Sequence, residues 1–414
     1  MDITNSLKNR EMKKHIFLIL IAAGLFSLFN SCKKEAPYRS LIITGQNVHN
    51  WKASFPVLKT ILEETTLFSC DVALTPKKGA DMSKFNPDFS RYNLVVIDYS
   101  GDSWSDKTKA AFVNYVNNGG GVVIYHFSGS AFPEWKEYNE MCGLGGWGNR
   151  DEKSGPYVYY KRNVIVKDSS AGPAGYHDKR HEFEVKTLNF NHPITKGLPS
   201  RWLHGNDELF SRLRGPAQNM EILATANSDT TGRGAGRDEP VLMAITYGKG
   251  RIFHTTLGHA DEGGGPAMQC AGFIVTLQRG AEWAATGNVT QTVPFDFPNA
   301  AGVVLRPDFK AITLEDDLAN LPDYQLTRST KYFADLQSNI RKAAGDSAAM
   351  KHFEEEMVAI LKSPKATTES KKLVMRELSW MGTGFCIPAI KELTGNADLK
   401  DEAEFALERL QPAK

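Results

Sequence analysis

The sequence predicts an α/β protein, a parallel sheet sandwiched by helices, followed by a small all-α C-terminal domain. Two observations carry this. Four short apolar runs, SLIIT (40–44), CDVAL (70–74), LVVID (94–98) and VVIY (122–125), alternate with stretches of helical spacing, the pattern of a sheet with helices on both faces. From about residue 310 onward strand signals stop and Lys, Glu, Ala and Leu dominate. A third observation bears on function. Three strands end in histidine: LIITGQNVHNW carries His49, GGGVVIYHFSGSA carries His126, and GRIFHTTLGHA carries His254 and His259. Ligands of open α/β sheets bind outside the carboxyl ends of the strands.

The run at 40–44 is continuously apolar, as in a strand covered on both faces, and GQNVHNW follows it as a loop. Residues 55–64 place Phe55, Leu58, Ile61 and Leu62 at helical spacing. Ser105 is an N-cap for a helix through Asn117, with Ala111, Phe112, Tyr115 and Val116 apolar, and Gly119 ends it. Residues 143–175 are rich in Gly, Ser and charge and too long for an ordinary connection, so they are expected to be a functional lid or disordered. HEFEV (181–185) alternates like a strand. EILATA (221–226) is a strand, and VLMAITYGKGRIFHTTL (241–257) is a hairpin turning at YGKG. Residues 268–283 have helical spacing and close the domain, which spans 40–290. Residues 291–309 hold three prolines and read as a linker, with the boundary near Val304. The helical domain, 310–414, resembles HEAT-type repeats, although only about one and a half repeats can be traced; a plain helical appendage is the alternative.

The chain of 414 residues is 41% hydrophobic and 23% charged with a net charge of +1, so nothing suggests a nucleic-acid partner. Basic residues, an apolar run over 16–29 and small residues before Cys32 read as a secretory signal over 1–32. The ending LFNSC resembles a bacterial lipobox. Cys32 is therefore expected to be lipidated, with 33–39 as a tether and the protein at the cell envelope, facing the periplasm, held to the membrane by the lipid alone. None of the five cysteines forms a CxxC pair, so neither a zinc ribbon nor a disulfide framework is indicated.

Residues 40–290 resemble the ThuA-like family, named for trehalose utilisation. The resemblance rests on LIITGQNVHNW, GGGVVIYHFSG, HEFEV, HPITKGLP, DELF and GKGRIFHTTLGH, in this order. It implies a flavodoxin-like fold related to class I glutamine amidotransferases and a place in sugar metabolism, including pathways that handle 3-keto sugars. The amidotransferase relatives carry a cysteine nucleophile on a strand-to-helix turn. Here that turn holds His126 and Ser128, and Cys142 and Cys270 sit inside helical patterns. Cysteine-based glutaminase chemistry is not expected.

The candidate catalytic residues are His126, His49, His254, His181 and Glu182, because imidazole transfers protons near neutral pH and a neighbouring carboxylate can orient it or share the work. Asn47, Asn50 and Trp51 suit a sugar, with amides for hydroxyls and an indole for a ring face. Asp207, Glu208 and His259 are further substrate-binding candidates, with His204 beside them, although Asp207 and Glu208 could equally be a charge pair at a helix N-terminus. His177, His192 and His352 read as structural. Sugar chemistry beside a ketone needs a base, an acid and a group that polarises a carbonyl; this set supplies all three, with or without a divalent cation. GRGAGR (232–237) follows no strand directly and lacks the Lys-Ser/Thr pair, so it is not a phosphate loop. The function expected is an envelope lipoprotein acting on a glycoside or keto sugar. The alternative is a non-catalytic carbohydrate-binding or scaffold lipoprotein with the helical tail as a protein-docking surface.

Overall fold

A computed structural model describes residues 36–231, 233–311 and 343–410, with 318, 321–324, 336, 337, 340 and 341 between them. Cys32 and the signal region lie outside the described residues.

The first half alternates as expected: β1 (Tyr38–Thr44), α1 (Trp51–Glu64), β2 (Phe68–Leu74), β3 (Leu94–Ile97), α2 (Asp106–Asn117) and β4 (Gly121–Tyr125). The apolar runs form strands because both sheet faces are covered. Ile42, Val96 and Val123 enter one core, and Leu41, Ile43, Val95, Ile97, Val122 and Ile124 enter the other. Fully burying each such side chain is worth about 1.5–3 kcal/mol. Ser105 caps α2 by accepting the backbone N–H of Thr108, as its position predicts.

After α3 (Lys136–Cys142) the chain runs through two short paired strands, β5 (Tyr157–Lys161) and β6 (Val164–Asp168), and the bridge strand β7 (Tyr176–His177). It then enters β8 (His181–Thr187), β9 (Arg201–Asp207), β10 (Phe210–Ser211), β11 (Met220–Ser228), β12 (Arg237–Tyr247) and β13 (Gly250–Thr255). Helices α4 (Gly265–Gln269) and α5 (Ala271–Thr286) follow.

The sheet order is β2-β1-β3-β4-β13-β12-β11-β8-β9. The strands from β2 to β13 are parallel neighbours, and β12, β11, β8 and β9 add an antiparallel wing. The sheet is therefore mixed: the β12–β13 hairpin reverses direction where the parallel half ends. The carboxyl ends of β1, β3, β4 and β13 share one edge.

Residues 143–175 are not disordered but packed onto the domain. Two buried guanidinium groups pin them. Arg214 donates to the carbonyls of Gly155, Ser170 and Gly172 at 2.8–3.0 Å and lies over the Tyr157 ring. Arg150 donates to the carbonyls of Ser130 and Ala131 in the turn after β4, and to that of Gly146.

Residues 291–309, read as a linker, are packed as a strap. Phe297 and Val304 are buried, Ala271 donates its backbone N–H to Val304, and Arg306 makes a two-pronged pair with Asp296 at 2.5 and 2.7 Å. The helices α6 (Ser347–Lys362), α7 (Thr368–Met381), α8 (Ile387–Leu393) and α9 (Lys400–Leu410) enclose a core of their own that includes Met357, Leu378, Ile390 and Ala406.

Candidate active site

His49, His126, Glu208 and His259 meet at the carboxyl edge of the parallel strands. One donor atom from each lies within 4.8 Å of all the others. Glu208 is the centre: its carboxylate is 3.7 Å from His49 Nε2, 3.8 Å from His126 Nε2 and 3.3 Å from His259 Nδ1. His177 Nε2 faces the same carboxylate at 3.9 Å from the half-exposed side.

Each residue arrives by a different local device. His126 follows β4 with φ of +48°, a sharp left-handed turn. Its Nδ1 lies 2.6 Å from the carbonyl oxygen of Thr256. A carbonyl only accepts, so Nδ1 carries the proton and Nε2 presents its lone pair to Glu208. Phe210 stacks on the ring, centroids 4.6 Å apart. His49 sits in the loop after β1, where its backbone N–H donates to Asn47 Oδ1 and the Asn47 amide donates to Asp98. Phe127 packs edge-on against the His49 ring. Glu208 and His259 are both tied to Asp207, which accepts the backbone N–H groups of Glu208, Gly258 and His259 at 2.6–3.0 Å. Asp207 is in turn paired with His204 at 2.7 Å.

Electrostatics follow from this crowding. Burial, helped by the neighbouring His126, drives the His49 imidazole down to about 3, so it is neutral. Burial also lowers His126, against the pull of Asp207. Burial pushes the Glu208 carboxyl up, but His259, His126 and His177 outweigh burial and bring it down to about 2. Burial opposes a charge on His259, yet Glu208 and Asp207 raise it. Asp98, buried under the His49 loop, is pushed by desolvation up to about 7 despite hydrogen bonds from Ser54, Thr44 and Asn47. The centre thus combines a carboxylate held toward its anionic form, two imidazoles pushed toward neutrality and a third pushed toward its protonated form.

The other sequence candidates fall elsewhere. His254 lies within β13, paired with Ile124, so the pleat turns it under the site toward α3. Its Nδ1 is 2.9 Å from the Cys142 carbonyl oxygen. Its Nε2 backs onto Gly129, where any Cβ would come within 2.7 Å; it supports the turn that holds His126 and is not a member of the cluster. His181 and Glu182 start β8 and are exposed; His181 pairs in register with Asp207, yet neither side chain is among the four that converge. Asn47 is half-exposed and positions His49, and Asp207 is a fully buried hub. Asn50 is exposed and Trp51 opens α1, stacked on Phe55. Glu208 and His259, expected as substrate contacts, are members of the cluster itself. His177, read as structural, was missed because β7 is only two residues long, and its partner Phe210 lies far along the chain. Cys142 and Cys270 are buried free thiols, as expected. A hollow of about 680 Å³ at the opposite edge, lined by Asn86, Asp88, Asn93, Asn118 and Gly120 among others, holds no histidine. The site is placed by its chemistry and not by that volume.

Over residues 39–284 the chain matches the ThuA family, described as trehalose utilisation. A ThuA-like protein of Parabacteroides merdae is 53% identical and superposes with a TM-score of 0.65, covering 66% of this chain and 99% of that one. A ThuA-like protein of Bacteroides uniformis is 17% identical with a TM-score of 0.40, covering 62% of this chain and 94% of that one. Among curated proteins, none matches the chain.

Proposed function

We propose, for a chain that belongs to the ThuA family and so is linked to trehalose utilisation, an enzyme of carbohydrate catabolism that acts on a glycoside or keto sugar by proton transfer beside a polarised oxygen. One observation carries this reading: three imidazoles and a carboxylate from four separate segments converge with their reactive atoms unpaired. Each unsatisfied buried polar atom costs about 1–3 kcal/mol. A module that only binds sugar, using aromatic faces and amides, has no need of such a cost; a reaction centre does.

The roles follow from position. The Glu208-centred cluster supplies the carboxylate and imidazole lone pairs that would hold a polarising cation against a sugar oxygen. His177 faces it from the open side. Its Nδ1 lies 3.0 Å from the Asp178 carbonyl oxygen, so Nε2 is free to take or return a proton. Phe127, Trp147 and Phe210, mutually packed at 4.9–6.1 Å, supply an aromatic wall for a sugar face. The reading also places the mature chain at the cell envelope through Cys32. The test is incubation of the full protein with a panel of glycosides and their 3-keto forms, with and without chelator. Turnover of at least one, lost in His126→Ala, supports the reading. An inert wild-type protein that still binds these sugars would replace it with the binding module.

A further inference from the structure

His49 Nε2, His126 Nε2, His259 Nδ1 and Glu208 Oε2 are each buried without a hydrogen-bond partner, and these four residues point their donor atoms at one spot. Proton sharing between His259 and Glu208 could satisfy one pair. It would leave His49 Nε2 and His126 Nε2 at 3.7 and 3.8 Å from one carboxylate oxygen, and His126 has only a lone pair to offer it. A cation satisfies all four together. We infer that His49, His126, Glu208 and His259 hold one divalent first-row transition-metal ion, the cofactor of this site.

The geometry fits the ion. Nitrogen and oxygen donors about 2.0–2.2 Å from a four-coordinate metal lie roughly 3.4 Å from one another. His49 Nε2 and His126 Nε2 stand 3.7 and 3.8 Å from Glu208 Oε2, and His259 Nδ1 stands 3.3 Å from Oε1 of the same carboxylate, each within a few tenths of an ångström of that edge. The donor set names the metal class. Three imidazoles and a carboxylate suit Zn²⁺, Fe²⁺, Mn²⁺, Co²⁺ or Ni²⁺, whereas Ca²⁺ and Mg²⁺ take oxygen ligands and thiolate sites select softer ions.

An outer shell is already built. Thr256 fixes the tautomer of His126, Asp207 holds the backbone of both Glu208 and His259, and Asn47 holds that of His49, the arrangement that orients metal ligands. His177 stays outside the four at the half-exposed mouth, which leaves a side open for the oxygens of a polyol or hydroxyketone. The inference rests on the reaction centre proposed above and names its polarising group, but occupancy reads it independently of turnover.

The experiment is metal analysis of the mature protein, purified without a histidine tag, dialysed against Zn²⁺, Mn²⁺, Fe²⁺ or Co²⁺ in turn and then freed of unbound ion. Stoichiometric retention of at least one ion is expected, with a rise in Tm that chelator reverses. Glu208→Gln and His126→Asn should weaken binding by about 100-fold or more, since losing only an outer-shell partner costs 10–100-fold, with far-UV circular dichroism unchanged. His181→Ala should retain the ion. A folded wild-type protein that retains none of these ions overturns the inference, as does unchanged affinity in Glu208→Gln and His126→Asn together. Sugar turnover by metal-free protein would leave the proposed reaction standing and overturn the ion's role as its cofactor. Stoichiometric metal with no sugar turned over would do the reverse.

Discussion

His204 Nε2 and Asp207 Oδ2 lie 2.7 Å apart, and neither side chain is exposed. The same Asp207 carboxylate receives three backbone N–H groups, so one buried ion pair sets the position of two of the four clustered residues. Removing one partner strands a charge in the interior. Asp207→Ala is expected to lower stability by about 3–5 kcal/mol, the usual cost of breaking a buried pair, as read by urea denaturation.

The pair also shapes stability against pH. Burial opposes the His204 cation, but Cys270 and Asp207 raise it to about 10. Its contribution is complete below the unfolded value of about 6.5 and is lost as pH rises through about 10. Burial opposes the Asp207 anion too, yet His204 holds its carboxyl well below the ordinary range. That contribution is present above the unfolded value of about 3.9 and is lost on acidification below it. Melting temperature should peak between about pH 4 and 6.5, and His204→Gln should flatten the alkaline limb.

His126 combines a left-handed backbone with a reactive ring. His126→Asn keeps a residue that tolerates φ of +48° and should fold, while turnover drops by ~10²-fold or more, the size of an acid–base contribution. His126→Val should lose a further ~1–2 kcal/mol of stability, because a β-branched residue is strained there. Comparing the two melting temperatures checks the backbone term apart from the chemistry.

His181 and Glu182 stand exposed at the start of β8. Alanine at either position should change stability by no more than about 0.5 kcal/mol and leave turnover of the active sugar near wild type. A drop comparable to that of His126→Asn would show that the centre extends to β8.

The strap after α5 gives a sharp truncation test. A chain ending at Val304 loses Arg306, and with it the two-pronged pair to Asp296 and the Arg306 N–H bond to the Gln269 carbonyl, so it should be less stable than one ending at residue 311 by about 1.5–3 kcal/mol, the size of a hydrogen bond to a charged group. Paired thermal melts of the two fragments decide it.

The anchor is tested at Cys32. Cys32→Ala should give an unlipidated protein that no longer partitions with membranes; a single acyl chain binds only marginally, so stable anchoring needs the several chains of a lipoprotein. Unchanged partitioning would remove the envelope assignment.

The parallel half was legible because its signals are local. The apolar runs at 40–44, 94–98 and 122–125 mark strands covered on both faces, Ser105 marks a helix start, and YGKG marks the β12–β13 turn. Histidine after β1 and β4 located His49 and His126, since parallel strand ends share an edge. What the residues alone could not decide was which side of a pleat or which wing of the sheet a histidine would occupy. His254 and His259 are five residues apart: the pleat of β13 turns His254 under the turn, whereas His259, past the strand end at Thr255, is set in the centre by its bond to Asp207. His181 and His177 are four apart, and only His177 turns its ring to Glu208, although His181 pairs in register with Asp207. Those outcomes depend on partners distant in sequence: Asp207 reaching Gly258 and His259, Arg150 fixing the turn after β4, and Phe210 pairing with His177. Local pattern determined the strands and two of the four clustered residues; long-range hydrogen bonds and burial, which exist only in the folded chain, decided the rest of the centre.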